Sequence, residues 1–288
     1  KVVVLRDGQY VGGGLLSEFP QKRLEELMVG RSIDDRKIDI GVPTKEIVLS
    51  VENLSYANRV QGVSFELFKG EILGFSGLMG AGRTELVESL FGLRKSEGKV
   101  VIAGKVVENR APSTMKDLGI AFVPEDRRRN GLFIIRSLKE NLTTSALNSL
   151  VRRIIPGIGF KGERENAENI AKKHRIVYTS IEKEVTFLSG GNRQKALLAR
   201  WVAIKPKIWI LDEPTRGVDI GAKEEIHSLI GELARQGTSI ILVSSELEEL
   251  MLLSHRIVIL RKGLKVAELQ RGDFDPLKIV SYIAASTD

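Results

Sequence analysis

Residues 188–219 read LSGGNRQKALLARWVAIKPKIWILDEPTRGVD. The second half opens on four apolar residues, Ile208 to Leu211, and then places Asp212 and Glu213 side by side. A short apolar run without alternation predicts a strand buried on both faces, as in a parallel sheet covered by helices. Carboxylates at the C-terminal end of such a strand stand where open α/β sheets gather their ligands. Asp212 suits Mg²⁺, directly or through water, and Glu213 is placed to orient or deprotonate an attacking water. In the first half Ser189 takes the N-cap position of a helical pattern. Ser189, Gly190, Gly191 and Asn192 at an open helix N-terminus make a clamp for a terminal phosphate. A capped helix and an acidic turn are each ordinary, but with Leu188 standing 24 positions before Asp212 the pair is hard to obtain by chance.

Upstream, residues 70–92 read GEILGFSGLMGAGRTELVESLFG. Apolar Ile72 to Phe75 predicts another buried strand, a glycine-rich turn follows, and then a helix pattern begins. The spacing fits the phosphate-loop template G-x4-G-K-[ST] in every element but one. Gly77, Gly80, Ala81 and Gly82 let consecutive backbone N–H groups turn inward around phosphate oxygens, and Thr84 offers a hydroxyl to Mg²⁺. Arg83 stands where Lys is expected, and a planar guanidinium fork does not replace a compact ammonium. A lost charge-assisted hydrogen bond costs about 1.5–3 kcal/mol, or roughly 10- to 100-fold in affinity.

Composition narrows the rest. The 288 residues carry 44 Lys+Arg against 37 Asp+Glu, a net charge of +7, which permits an anionic partner: nucleotide, nucleic acid or an acidic membrane surface. With no Cys, disulfide scaffolds, Fe–S clusters and Cys-ligated zinc are excluded. No apolar run reaches the ~18 residues of a membrane-spanning helix, and no signal-peptide pattern opens the chain. Strand and helix patterns alternate from residue 48 onward, which argues α/β. A charged helical stretch at about 136–186 interrupts them as an inserted subdomain.

The chain also echoes itself. Residues 2–11, VVVLRDGQYV, and 257–266, IVILRKGLKV, are identical at five of ten positions at a constant offset of 255. Both predict a strand hairpin followed by a short helix. The period is too long for a solenoid, and it points to a tandem pair of whole domains. On this reading residues 1–31 are the tail of a preceding repeat, 32–47 a polar linker and 48–288 the second domain.

LSGGN together with ILDEPTRGVD resembles the ABC-type ATPases. More narrowly, GEILGFSGLMGAGRTEL, FVPEDRRRNGL, LSGGNRQK, LDEPTRGVDIGAK and ILVSSELEEL resemble the C-terminal nucleotide-binding domain of the tandem ATP-binding subunits of bacterial monosaccharide importers. The resemblance implies a RecA-like core, an antiparallel β subdomain and an inserted helical subdomain. It implies two ATP·Mg²⁺ sites, each sandwiched between the phosphate loop of one domain and the signature loop of the other. Residues 77–84 with Asp212 and Glu213 then serve one site, and Ser189 to Asn192 complete the site of a first ATPase domain. Gly217-Val218-Asp219 matches the loop that crosses between the domains. Tyr56, 21 residues before Gly77, matches the aromatic that stacks on adenine, although it reads equally well as a strand-edge packing residue.

Two positions depart from the family pattern. Glu125 stands where a γ-phosphate-sensing and metal-contacting Gln is expected, and Ser245 takes the place of a switch His. His255, just before the strand RIVIL, reads as structural. The resemblance further implies integral membrane permease subunits docking at Pro124–Leu132 and the helical insertion. It also implies, indirectly, a periplasmic sugar-binding protein, a place on the cytoplasmic face of the inner membrane, and no nucleic-acid partner. An ABC ATPase acting on DNA or ribosomes, or a non-hydrolysing regulatory module, are the competing readings.

Overall fold

A computed structural model describes residues 2–6, 9–15, 17, 27, 38–146, 159–202 and 204–284. Twelve strands run in chain order: β1 Val2–Arg6, β2 Gln9–Gly14, β3 Ile47–Tyr56, β4 Val60–Phe68, β5 Ile72–Ser76, β6 Glu97–Ile102, β7 Lys105–Val106, β8 Ile120–Val123, β9 Ile208–Asp212, β10 Ser239–Val243, β11 Arg256–Arg261 and β12 Leu264–Gln270. The helices are α1 Arg83–Phe91, α2 Pro112–Asp117, α3 Leu138–Thr143, α4 Gly159–Lys173, α5 Gly190–Val202, α6 Ile220–Arg235, α7 Leu247–Leu253 and α8 Pro276–Ala284.

The central sheet has the order β12-β11-β5-β10-β9-β8, parallel throughout except for β12 at one edge. Every residue of β5, β8, β9 and β10 is buried, as expected of strands covered on both faces. Trp209, Phe75, Leu73 and Ile72 are among the largest fully buried side chains. A second sheet, β4-β3-β6-β7, is antiparallel. Within 136–186 the described residues form α3, α4 and short 3₁₀ turns, tied by a bridge between Ser137 and Glu184. Ser137 and Glu140 close a reciprocal capping box at the start of α3.

Register decides where the site lies. Val243 at the end of β10 pairs with Phe75 of β5 on one side and Asp212 of β9 on the other. The glycine-rich turn after β5 and the acidic pair ending β9 therefore emerge at one sheet edge. Ser244 and Ser245 leave β10 between them.

The two echoing segments are both antiparallel hairpins, and they agree pair for pair. Val2↔Gly14, Val3↔Gly13, Val4↔Gly12, Leu5↔Tyr10 and Arg6↔Gln9 recur 255 positions on as Ile257↔Leu269, Val258↔Glu268, Ile259↔Ala267, Leu260↔Lys265 and Arg261↔Leu264. Even the register shift falls at the same step, Val4/Leu5 and Ile259/Leu260. An irregularity repeated in place is a feature of the hairpin itself. The helix expected after the second copy is α8; most of the corresponding stretch after the first lies outside the described residues.

The described part of the 32–47 stretch differs from a free linker. Ile40 is buried, Gly41 approaches the backbone of Arg235, and Asp39 pairs with Arg235 at 3.7 Å. A Cβ on Gly231 would stand 2.5 Å from Ile38, so the segment lies directly on α6. Two isoleucines among charges supply the apolar contact that a polarity scan averages away.

Candidate functional site

The phosphate loop is a turn only glycine can make. Gly82, at φ +97°, precedes the first residue of α1, and a Cβ there would fall 2.1 Å from the Arg59 carbonyl oxygen. Arg59 sits in the β3–β4 turn, which presses against the loop. One of its guanidinium nitrogens lies 3.9 Å from where a Gly80 Cβ would stand. No side chain caps α1, so its first N–H groups stay available to an anion. Nothing in the sequence near the loop signals Arg59, because its proximity depends on how the two sheets meet.

Arg83 does not stand free over this loop. Its Nη1 donates to the Ser244 carbonyl at 2.6 Å, and its Nη2 lies 3.4 Å from Glu213 Oε1, both side chains being about nine-tenths buried. Ser245 Oγ donates to the other carboxylate oxygen, Glu213 Oε2, at 3.0 Å. Both oxygens of the expected base are thereby engaged. The strand order causes this: β10 lies between β5 and β9, so its terminal serines bridge the arginine and the acid. Glu213 itself adopts φ +49°, with its N–H bonded to the Val243 carbonyl at 2.9 Å. A non-glycine residue in this region costs on the order of 1–3 kcal/mol and is held by its surroundings.

Asp212 is 1% exposed, and neither carboxylate oxygen has a hydrogen-bond partner. Burial pushes the carboxyl up to about 7. The Glu213 charge adds to this, and the adjacent Thr84 hydroxyl and Arg83 guanidinium oppose it. An orphaned buried carboxylate beside a hydroxyl is a fitting donor set for Mg²⁺, which takes one or two carboxylates and completes its shell with water and phosphate oxygens.

Glu125 forms an ion pair with Arg216, four residues beyond Asp212, and lines a cavity with Gly190, Arg193 and Gly217. Tyr56 is held as well: Arg94 Nη1 donates to its hydroxyl at 3.0 Å and the guanidinium lies 5.1 Å from the ring centroid. His255 is structural. Its Nδ1 accepts from the Ile72 N–H at 3.0 Å, which leaves Nε2–H to donate to the Gly41 carbonyl at 3.2 Å.

The signature segment is preorganised. Ser189 is exposed, and its Oγ accepts from the Asn192 side-chain amide at 2.9 Å. Asn192 Oδ1 in turn accepts from the Val177 N–H at 2.8 Å, tying the loop to the helical insertion. Gly191 must be glycine, since a Cβ would meet that of Ala222 at 2.5 Å. Asp219 caps α6, accepting from the Ala222 N–H at 2.9 Å. The Gly217–Asp219 loop and the signature helix are therefore packed as one piece.

A buried cluster beneath the site escaped the sequence reading. His227 Nε2 and Thr215 Oγ1 both reach Glu249 Oε1 at 2.7 Å, joining α6, α7 and the loop after Glu213. Burial works against the Glu249 charge, but the His227 hydrogen bond leads the interactions that outweigh it, and its carboxyl sits below the usual range. Its contribution is therefore present above the ordinary glutamate range and is lost as pH falls through the lowered value. Glu249→Ala is expected to cost about 3–5 kcal/mol, because it leaves two buried polar partners unpaired. Urea unfolding at neutral pH checks this; a cost under about 1 kcal/mol would contradict it.

The family model described as ABC transporter matches residues 60–216. The ribose import ATP-binding protein of Halalkalibacterium halodurans is 40% identical over 285 residues, covering 98% of this chain and 56% of its own length. A putative ribose/galactose/methyl galactoside import ATP-binding protein of Geobacillus kaustophilus is 41% identical over 277 residues, 95% of this chain and 54% of its own length. The chain thus spans about half the length of the curated relatives it matches. Among solved structures, a nucleotide-free ATP-binding cassette from an ABC transporter superposes with a TM-score of 0.68 at 22% identity, over 83% of this chain and all of that one. A dimeric cassette in a post-hydrolysis state, bound to ADP and Pi, gives 0.66 at 20% identity over 78% of this chain and all of its own length. At these identities the structures speak for the fold.

Proposed function

The chain belongs to the ABC transporter family, whose model spans more than half of it, and from that premise we propose that it is the second ATPase domain of a tandem subunit that powers monosaccharide import. Its own phosphate loop holds ATP but turns it over slowly. Its signature loop completes the faster site, whose phosphate loop belongs to a first ATPase domain. Residues 1–31 are the end of that first domain, a reading supported by the hairpin register repeated at offset 255. Membrane permease subunits conduct the sugar, and a periplasmic binding protein delivers it. The chain works on the cytoplasmic face of the membrane. No helix among the described residues is long and apolar enough to cross a membrane, which suits a peripheral role.

The observation that carries the asymmetry is the position of Arg83. Its guanidinium neutralises Glu213 and donates to the Ser244 carbonyl. A phosphate entering the loop is met by backbone N–H groups and the α1 N-terminus. Asp212 and Thr84 would hold Mg²⁺, which when bound supplies charge neutralisation at the phosphate oxygens. Glu213 is an effective base only after Arg83 and Ser245 release it. Ser245 offers a hydroxyl where an imidazole would bridge to the γ-phosphate, and one positioned acid–base group is worth roughly 10²–10⁴ in rate. The engaged Glu213 also favours a second reading of this site alone, a regulatory site that binds ATP without hydrolysing it.

Calorimetry with Mg-ATP on wild type and Arg83→Lys tests the binding claim. Wild type is expected to bind, and Arg83→Lys to bind roughly 10- to 100-fold more tightly, the worth of one charge-assisted hydrogen bond. No heat from wild type at millimolar ATP would contradict binding, and equal affinities would show that Arg83 swings to the phosphates.

A further inference from the structure

The cation of the phosphate loop is already engaged. Arg83 holds Glu213 and the Ser244 carbonyl, and Asp212 adds a second carboxyl beside it. A triphosphate entering the loop brings several negative charges. Backbone N–H groups and a helix N-terminus set only partial positive charge against them. A second guanidinium reaches this loop from another element. Arg59 Nη1 lies 3.9 Å from the position of a Gly80 Cβ. Arg59 is exposed, and among the described residues its guanidinium has neither an ion pair nor a hydrogen bond.

The side chain is open, but its backbone is fixed. The Arg59 N–H donates to the Tyr56 carbonyl at 3.0 Å and closes the β3–β4 turn. The Arg59 carbonyl oxygen lies so close to Gly82 and Gly263 that a Cβ would fall 2.1 Å from it on the first and 2.7 Å on the second. Gly263, in the β11–β12 turn, donates to the Ala81 carbonyl at 3.0 Å and accepts from the Gln61 N–H at 2.8 Å. Gln61 Nε2 donates to the Lys262 carbonyl at 2.8 Å. The phosphate loop and these two turns are therefore one interlocked unit. A charged side chain on such a support gives up only its own rotamer freedom when it takes a ligand. A guanidinium fork also matches phosphate oxygens two at a time.

We propose that Arg59, and not Arg83, is the side-chain cation that meets the phosphates of ATP at this loop. The proposal rests on the reading above that the loop holds ATP. It accounts for nucleotide binding by a loop with Arg in the Lys position. The charge comes from the neighbouring turn, while Arg83 stays with Glu213. The two arginines divide the tasks, one holding phosphate and the other holding the base.

The test compares wild type, Arg59→Gln and Arg59→Lys by calorimetry with Mg-ATP and by competition of inorganic pyrophosphate against labelled ATP. Arg59→Gln is expected to bind Mg-ATP roughly 10- to 100-fold more weakly, the worth of one charge-assisted hydrogen bond. Pyrophosphate should weaken by a similar factor, because it carries the phosphates without the nucleoside. Arg59→Lys keeps the charge without the fork and should fall between wild type and Arg59→Gln. The deficit of Arg59→Gln should shrink as salt rises from about 0.1 M to about 1 M, where the screening length drops from about 10 Å to about 3 Å. Folding should be unaffected, since the side chain is exposed and the interlock is made by its backbone. Equal affinities of wild type and Arg59→Gln would overturn the proposal. So would a salt-independent loss, which is the mark of a structural role, or Arg59→Lys binding as weakly as Arg59→Gln. A loss for Mg-ATP without one for pyrophosphate would put the guanidinium on the nucleoside and overturn it too. All of these would leave the ATP-holding reading standing. No heat from wild type at millimolar Mg-ATP would overturn both.

Discussion

Asp212→Asn is expected to gain about 4 kcal/mol of stability relative to wild type between about pH 4 and pH 8 in the metal-free chain. The reason is the raised pKa of Asp212, about 7 in the folded chain against an ordinary 3.8. A carboxyl whose folded pKa is raised binds its proton more tightly folded than unfolded. Its stability contribution is complete below the unfolded value and is lost as pH rises through the folded one. Wild type therefore weakens from about pH 4 to about pH 7 and then levels off, while the amide does not titrate. Urea unfolding across this range, with chelator present, measures the difference. A pH-independent gap would mean that the orphaned oxygens are solvated. Adding Mg²⁺ and nucleotide should recover most of the loss in wild type only, because Asp212 is destabilised in the way a ligand without its metal is.

The second large effect falls on the neighbouring site. Gly190→Asp in this chain, assembled with the first ATPase domain, is expected to lower turnover about 10²- to 10³-fold, the worth of a lost transition-state donor. A carboxylate at the first position of α5 opposes the phosphate that this helix terminus would hold. The fold should survive, since a Cβ on Gly190 meets only the Gly217 carbonyl oxygen at 3.3 Å, whereas one on Gly191 collides with Ala222. Ser189→Ala is the milder companion, with about a 10-fold expected loss from one hydrogen bond. Steady-state turnover of the assembled pair at saturating Mg-ATP is the measurement. Unchanged turnover in both variants would separate this signature loop from the working site.

The parts of this site that could be read from the chain are those with local causes. Buried strands at Ile72 to Phe75 and Ile208 to Leu211 follow from unbroken apolar runs, and the phosphate loop follows from glycines between a strand and a helix. The hairpin echo was visible because a bulge and its flanking pattern are local too. Where Arg83 goes could not be read, because it depends on β10 lying between β5 and β9, a matter of strand order and not of spacing. The Glu125–Arg216 pair and the Thr215–His227–Glu249 cluster were hidden for the same reason. Their members lie 91, 12 and 22 positions apart in sequence. Arg200 shows the opposite case. The sequence places it plainly on a helix, yet only the packing reveals that its Nε is buried without a hydrogen-bond partner.

The asymmetry between the two sites is tested most directly by a rapid-quench single-turnover assay on the assembled tandem subunit, loaded with labelled Mg-ATP at both sites. On the present account about half of the bound label converts quickly to ADP and half persists as ATP, since the missing acid–base group slows one site by roughly 10²–10⁴. Glu213→Gln should leave the fast phase intact. Conversion of both halves at one rate, or loss of the fast phase in Glu213→Gln, would contradict it.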